Sequence, residues 1–474
     1  MEFIVWVETR LDGRTLEIRE VAKLERAAYL AGPEELGLTL KDGKTVLKQV
    51  QESIVQMQIQ VLSVTERPCM HCDKDQRIKD LRSIRLRTVF GAVDVFSRRY
   101  IKCTCRGGPA RSLWPLSRFA IRRTTPELSF LIAKWGSVLP YRRAAELLRE
   151  FLPVTDDMLS HTTSRRHTLA VGNRLDLRST EPAEYYWPLR EQAKPATANR
   201  LVVTIDGTYI RANSSAFGRQ HYVVAGRIER DGQMSGRFAW VTQNPPDPSC
   251  FMKAALEDHG CTADTKVAVL ADGADGLPGV VQSSSPQPPR RILDWFHLSM
   301  RLRPIEQMGA KLSRELADSH PTVAAVLRNK LPRVRHQFWN GKFKDAVSRM
   351  FMIRTSIVDV AAQLPPTESE RAERMRVHLI EMREYLKNNW DSLTNYGAAR
   401  RNGLRISSAP AESSMSNVVN QRMGKRQPMS WSVDGAHLLL QVRCAVLDNR
   451  LETRFREWHP KFRSSPAAVE LPAL

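Results

Sequence analysis

The chain has 474 residues, 42% of them hydrophobic, and carries 72 Lys and Arg against 51 Asp and Glu, a net charge of +21. That length exceeds what one core organises, so about three or four domains are expected, and no apolar run is long enough to cross a bilayer. Glu2 stands where an export signal needs basic residues, which points to a cytoplasmic protein, and the positive surplus points to nucleic acid rather than a membrane as partner.

Residues 1–62 open on a strand-like EFIVWVETR and continue into a helical stretch from Gly43 to Val61. Residues 63–112 carry Cys69-Met-His-Cys72 and, thirty residues later, Cys103-Thr-Cys105. Close cysteine pairs on two turns, separated by strand-forming residues, describe a zinc ribbon in which four thiolates surround a structural Zn2+. The intervening IRLRTVFGAVDVFSRRYI alternates as a hairpin with its turn near Gly91. The second pair is C-x-C rather than C-x-x-C, and His71 is an alternative ligand. Disulfides are the competing arrangement, disfavoured in a reducing compartment. Arg98 and Arg99 open a run from Ser97 to Arg123 with eight basic residues and no acidic ones, a surface suited to DNA.

Residues 113–180 repeat apolar positions at helical spacing and break at Gly136–Pro140 and at Pro153, which predicts a helix-turn-helix-like DNA-binding domain. Thr155 or Asp156 is expected to cap its last helix, which carries Ser160, His161, Thr163, Ser164, Arg165, Arg166 and His167. Those side chains suit phosphates and base edges in a major groove; a small bundle with a solvated basic face is the competing reading. Residues 181–199, rich in Pro, Ala and Glu, read as a linker.

From residue 200 to 298 the elements are LVVTID, HYVVAGRIER and SGRFAWVTQ as strands, CFMKAALEDHG as a helix, then TKVAVLAD and RRILDWF as strands. Strands able to pair as a meander, a crossover helix and a further strand parallel to the first make the order of a ribonuclease H-like catalytic core. In that order Asp206 and Asp272 reach one edge of the sheet, and Gly207 and Gly273 let the backbone turn away. Asp275 competes with Asp272, which directly ends its apolar run. Neighbouring carboxylates repel unless a hard cation lies between them, so two Mg2+ or Mn2+ ions are expected, suited to phosphodiester cleavage. The third acid is Glu412, just after Pro410 and the sole acidic residue between Asp391 and Asp434. It opens the second part of the core, residues 403–460, where Arg422, Lys425 and Arg426 are placed to contact phosphates. Residues 299–402 form a basic helical insertion whose Phe338 and Trp339 either stack on a base or sit in its core, and residues 461–474 read as a flexible tail. Asp294 and His297 read either as a pair orienting a ligand or scissile phosphate, or as a helix cap.

The IDGTYI strand, the ADGADGLPG and LDWFH motifs, the zinc ribbon and the late AESSMSNVVNQRMGKRQPMSW segment together resemble bacterial insertion-sequence transposases of the DDE class, closest to the ISKra-type group and related to Mutator-like transposases. The resemblance covers most of the chain. It implies a multidomain α/β protein with Asp206, Asp272 and Glu412 as triad and a D-x-x-H element at Asp294 and His297. It also implies binding of terminal inverted repeats, cleavage at their ends and joining of the 3′-OH to target DNA, by a homodimer or larger assembly on the bacterial nucleoid. A non-catalytic DNA-binding descendant and a nuclease of the same fold without strand transfer are the alternatives.

Overall fold

The computed structural model describes residues 1–29, 32–107, 111–120, 123–180, 196–213, 218–243, 247–273, 276–424 and 429–464. The chain is a mixed α/β protein in two compact units, 1–171 with 449–474, and 172–448. In the first unit β1 (Glu2–Leu11) and β2 (Arg14–Glu25) form an antiparallel ribbon. The second strand is not predicted from sequence because RTLEIREVAKLE is dense in charge; its signal is Asp12-Gly13, both at positive φ, the pair a tight hairpin favours. α1 (Leu40–Thr65) starts on a reciprocal cap in which Thr39 accepts from the Asp42 amide and Asp42 from the Thr39 amide. The predicted hairpin is β3 (Arg77–Thr88) and β4 (Gly91–Ile101), extended by β5 (Ser112–Leu113). After α2 (Ser117–Ala120) come α3 (Pro126–Val138), α4 (Tyr141–Phe151) and α5 (His161–Thr180), with Leu128, Ile132, Leu148, Met158 and Leu159 packed among them. The cap of α5 is Ser160, whose hydroxyl accepts from the Thr163 amide at 3.2 Å, rather than Thr155 or Asp156. The linker expected at 181–199 lies outside the described residues up to 195.

The second unit is built on β6 (Arg200–Arg211), β7 (Gln220–Arg230), β8 (Gln233–Val241), α6 (Pro248–Glu257), β9 (Lys266–Ala271), α7 (Gly276–Ser284) and β10 (Arg290–Leu293). The strand order is β10-β9-β6-β7-β8, with β6, β9 and β10 parallel and β7 and β8 antiparallel to their neighbours. Phe251, Met252 and Leu256 of α6 and Val281 of α7 pack on Leu201, Val203, Ile205 and Val269, one face of the sheet. The opposite face carries Val202, Leu270 and Ile292. Register fixes the continuation of that face: Thr204 pairs with Leu270, and Leu270 with Ile292. Side chains two residues apart share a face, so the next row is Asp206, Asp272 and Asp294, the last two directly after β9 and β10 and the first inside β6, just past its last pair with β9.

The insertion is helical as expected: α8 (Trp295–Glu315), α9 (Pro321–Trp339), α10 (Phe343–Ala361), α11 (Pro366–Asn388) and the short α12 (Tyr396–Arg401), around Leu302, Leu312, Leu327, Ile353 and Leu379. Phe338 is buried in that core, and Trp339 packs edge-on against Trp295 at 5.0 Å, so both are core aromatics rather than stacking platforms. α13 (Ala409–Ser414) runs through a π-turn at Met415–Asn420 into α14 (Gln421–Met423). A π-turn disturbs the ordinary helical pairing, and buried Arg443 of α15 (Val433–Leu447) meets it, donating to the carbonyls of Val418 (2.6 Å) and Asn417. The expected core segment 403–460 divides at Asp448. Beyond it, α16 (Leu451–Trp458) belongs to the first unit, where Phe455 meets Phe130 at 5.3 Å. Within the expected tail, Phe462 is buried and Arg463 pairs with Glu127, while residues 465–474 lie outside the described residues. No helix among the described residues is long and apolar enough to cross a membrane.

Candidate functional site

Among the described residues two clusters of ligand-type side chains stand out, one in each unit. In the first, the turns flanking the β3–β4 hairpin bring Cys69, Cys72, Cys103 and Cys105 together, with Cys69 Sγ 3.8 Å from Cys105 Sγ and Cys72 Sγ 3.6 Å from Cys103 Sγ. A disulfide needs sulfurs about 2 Å apart, so the competing arrangement is excluded, and all four thiols are free. A tetrahedral Zn2+ with Zn–S near 2.3 Å needs sulfurs about 3.8 Å apart, which is the separation found. The amides of His71 and Cys72 donate to Cys69 and draw its thiol down to about 6, while the neighbouring Cys103 thiol and burial push Cys105 up to about 12. One sulfur is thus prepared as a thiolate, and a cation would bring the others with it. The C-x-C spacing closes the cluster without His71.

The second cluster grows from the aspartate row. Asp206 does not end its strand as expected: β6 runs on to Arg211, Asp206 opposes Ala225 of β7 and Gly207 stays in the ladder opposite Val224 rather than turning the backbone away, because pairing with β7 outlasts pairing with β9. Asp206 Oδ1 accepts from the Gly207 amide at 2.7 Å. Burial raises its carboxyl, the Gly207 amide works against this, and the negative charges of Asp272 and Asp294 add to the rise. Asp272 comes directly after β9, and its carbonyl accepts from the Tyr385 hydroxyl of α11 at 2.7 Å. Gly273 is next, at φ +98°, with a Cβ there falling 2.8 Å from Asn389 Oδ1, so only glycine turns the chain away here. Asp275 lies outside the described residues.

Asp294 is fully buried and serves as the N-cap of α8. It accepts from the Phe296 amide (2.9 Å), His297 Nδ1 (2.6 Å), the Ser408 amide (3.1 Å) and the Ser408 hydroxyl. Burial alone would raise its carboxyl; these donors, His297 and Ser408 foremost, bring it below the usual range. The Asp294 hydrogen bond raises His297 in turn, burial opposes, and Asp272 and Asp206 add to the rise. Of the two readings of this pair, the helix cap is the one seen, and the same carboxylate holds the His297 ring. Ser408 also fixes Glu412, whose amide donates to the Ser408 carbonyl at 3.1 Å in the first turn of α13. Burial raises the half-buried Glu412, His297 lowers it, and Asp294 and Asp206 raise it again.

Asp294, His297 and Glu412 present donor atoms all within 4.8 Å of one another, a spacing that can hold a metal ion. Asp294 already accepts four hydrogen bonds, the capacity of a carboxylate, so its part is to position His297 and Ser408. The expected acids are brought together only in part: Glu412 belongs to this group, whereas half-buried Asp206 and Asp272 lie outside it, Asp206 feeling the negative charge of Asp272 and Glu412 that of Asp206. Sequence reasoning missed Ser408, Tyr385 and Tyr222. The last packs its hydroxyl where a Gly207 Cβ would stand, 1.8 Å away, and is raised by burial, Asp206 and Asp272. Tyr385 and Ser408 lie more than a hundred residues from the groups they hold, and no local pattern announces them.

The residues expected to contact DNA divide. Arg98, Arg165 and Arg166 are exposed, the last two on α5. Ser164, expected on the same outward face, is buried because it lies on the inner side of that helix. Arg99 is committed to a bidentate pair with Asp80, with Nε at 3.0 Å from Oδ1. Arg422 is a correction: it is fully buried, its guanidinium 5.2 Å from the Trp431 ring, so it supports the fold and cannot reach a phosphate. Lys425 and Arg426 lie outside the described residues. Searches against protein-family models and against curated proteins found no match to this chain.

Proposed function

We propose that this chain is a DDE-class transposase: a DNA-binding enzyme with a ribonuclease H-like core that cuts the ends of a mobile element and joins them to target DNA. The observation carrying the reading is that Asp206 and Asp272 share one register row on adjacent parallel strands while Glu412, on a later helix, lies close enough to feel the charge of Asp206. The strand order, antiparallel meander followed by parallel additions across a helix, supports the ribonuclease H-like assignment. Divalent ions held by Asp206, Asp272 and Glu412 would polarise the scissile phosphate and the attacking oxygen.

The chain's own residues account for positioning. Asp294 holds His297 by Nδ1, which leaves Nε2 as the ring nitrogen able to meet a phosphate or leaving oxygen, and the raised affinity of that ring for protons suits a cationic contact. Tyr385 anchors the backbone at Asp272 from the insertion, and Tyr396 does the same at Leu293, donating to its carbonyl at 3.0 Å. Exposed Arg165 and Arg166 on α5 and the net charge of +21 support sequence-independent attraction to DNA, with α5 as the reading helix of a helix-turn-helix-like module and Zn2+ stabilising the ribbon before it.

The test uses the full chain, Mn2+ and DNA carrying the inverted repeats that flank its gene. Nicking at the repeat ends and then joining to a plasmid is expected, with Asp206→Asn binding DNA but inert. Nicking without joining would leave a nuclease, and tight binding without nicking would leave a DNA-binding descendant.

A further inference from the structure

The N-terminal ribbon has a composition unlike the rest of the chain. Residues 1–66 hold eleven acidic and eight basic side chains in a chain whose net charge is +21, so this part is poorly suited to phosphate. β1 and β2 form a sheet of only two strands, and such a ribbon is marginal in water without further strands or cover. Part of β2 is covered, with Val21 and Ala22 buried, yet Phe3 (51%), Trp6 (54%) and Ile18 (60%) stay largely exposed. The irregularities of the ribbon skip Val21 and Leu16 on β2, so β1 presents an even outer edge of ten residues without proline or bulge. Protein edges are ordinarily blunted by such devices, and an unblunted edge rich in aromatic and branched residues is a template for another strand.

We propose that the outer edge of β1 pairs antiparallel with β1 of a second copy of this chain, making a four-stranded sheet about a two-fold axis at Trp6. In that register, with Trp6 opposite Trp6, Val5 falls opposite Val7 and Glu2 opposite Arg10, exposed side chains that within one chain pair with Lys23 and Glu8 and would exchange those partners for each other, while Ile4 falls opposite Glu8. An isologous interface requires each contact to occur twice, and here the Glu2–Arg10 pair does so on either side of the axis. The opposed charges set direction and register, and the central apolar residues supply burial. The inference stands apart from the reading of the acidic site and does not need it.

Sedimentation velocity of the full chain without DNA, across a micromolar concentration series, tests the pairing. A dimer is expected for the native chain and a monomer for Trp6→Lys, which sets two ammonium groups on the axis. Glu2→Arg or Arg10→Glu alone should weaken dimerisation on the order of tenfold, and the two together should regain most of it, since opposite charges again face each other. Zinc content and far-UV circular dichroism report whether each variant keeps its fold, and the charge pair carries the test if Trp6→Lys does not. A monomeric native chain, a dimer indifferent to these substitutions, or a double variant weaker than both singles would overturn the proposal.

Discussion

Replacing Asp206 by Asn removes one charge from the aspartate row while keeping an oxygen that can accept from the Gly207 amide. Adjacent strands lie about 4.8 Å apart, so the Asp206–Asp272 repulsion amounts to about 0.9 kcal/mol in water-like surroundings and about 3.5 kcal/mol at the effective dielectric of a half-buried site. Burial of Asp206 acts in the same direction. Without divalent ions, the Asp206→Asn protein should therefore be more stable than the native chain by about 1–3 kcal/mol, or about 2–4 °C in melting temperature for each kcal/mol in a unit of this size. The sign depends on pH. A carboxyl raised in the folded state destabilises above its folded pKa and has no such effect below its unfolded one, so the advantage should be full at neutral pH and fade on acidification. Added Mn2+ should reverse the ranking, because the native chain gains binding energy that the variant lacks. Paired thermal melts, with chelator and with Mn2+, read both effects. A variant less stable than the native chain in chelator, or one gaining as much from Mn2+, would refute the view that Asp206 and Asp272 share a cation site.

Ser408→Ala removes a hydroxyl donor from the buried Asp294 and should cost about 1.5–3 kcal/mol in denaturant unfolding, with a lower rate of DNA nicking because the start of the Glu412 helix is loosened. The neutral form of His167 is favoured by burial and by Arg166, which hold the ring down to about 4. Stability should be full above pH 6.5 and fall by roughly 3 kcal/mol on approaching pH 4; His167→Gln should flatten that loss, as urea titrations at several pH values would record. Cys72→Ser should release one equivalent of zinc per chain and leave the hairpin unfolded in proteolysis, whereas unchanged zinc content would remove Cys72 from the ligand set.

Asp272 and Asp294 were legible because each ends an apolar run that is a parallel strand; Asp206 also ends an apolar run, but its strand continues to Arg211, since alternation past Gly207 reads as a turn where pairing with β7 carries it on. Glu412 was legible only by elimination, as the sole acid in a long stretch. The groups that hold these acids were not. Ser408 meets Asp294 across 114 positions and Tyr385 meets Asp272 across 113, distances over which no periodicity carries information. Arg422 misled because a basic residue in a polar helix reads as exposed, while a π-turn, which departs from the ordinary 3.6-residue period, precedes it here. The boundary at Asp448 was hidden for a related reason: α15 and α16 are both helical, and only packing assigns them to different units.

The shared row of Asp206, Asp272 and Asp294 makes length a stricter constraint than identity in this part of the chain. One residue gained or lost inside β6, β9 or β10 would turn that strand's carboxylate to the far side of the sheet, and no point substitution elsewhere would bring it back. Natural variants should accordingly collect insertions in the connecting loops, while the spacing from the start of each of these strands to its acid stays invariant.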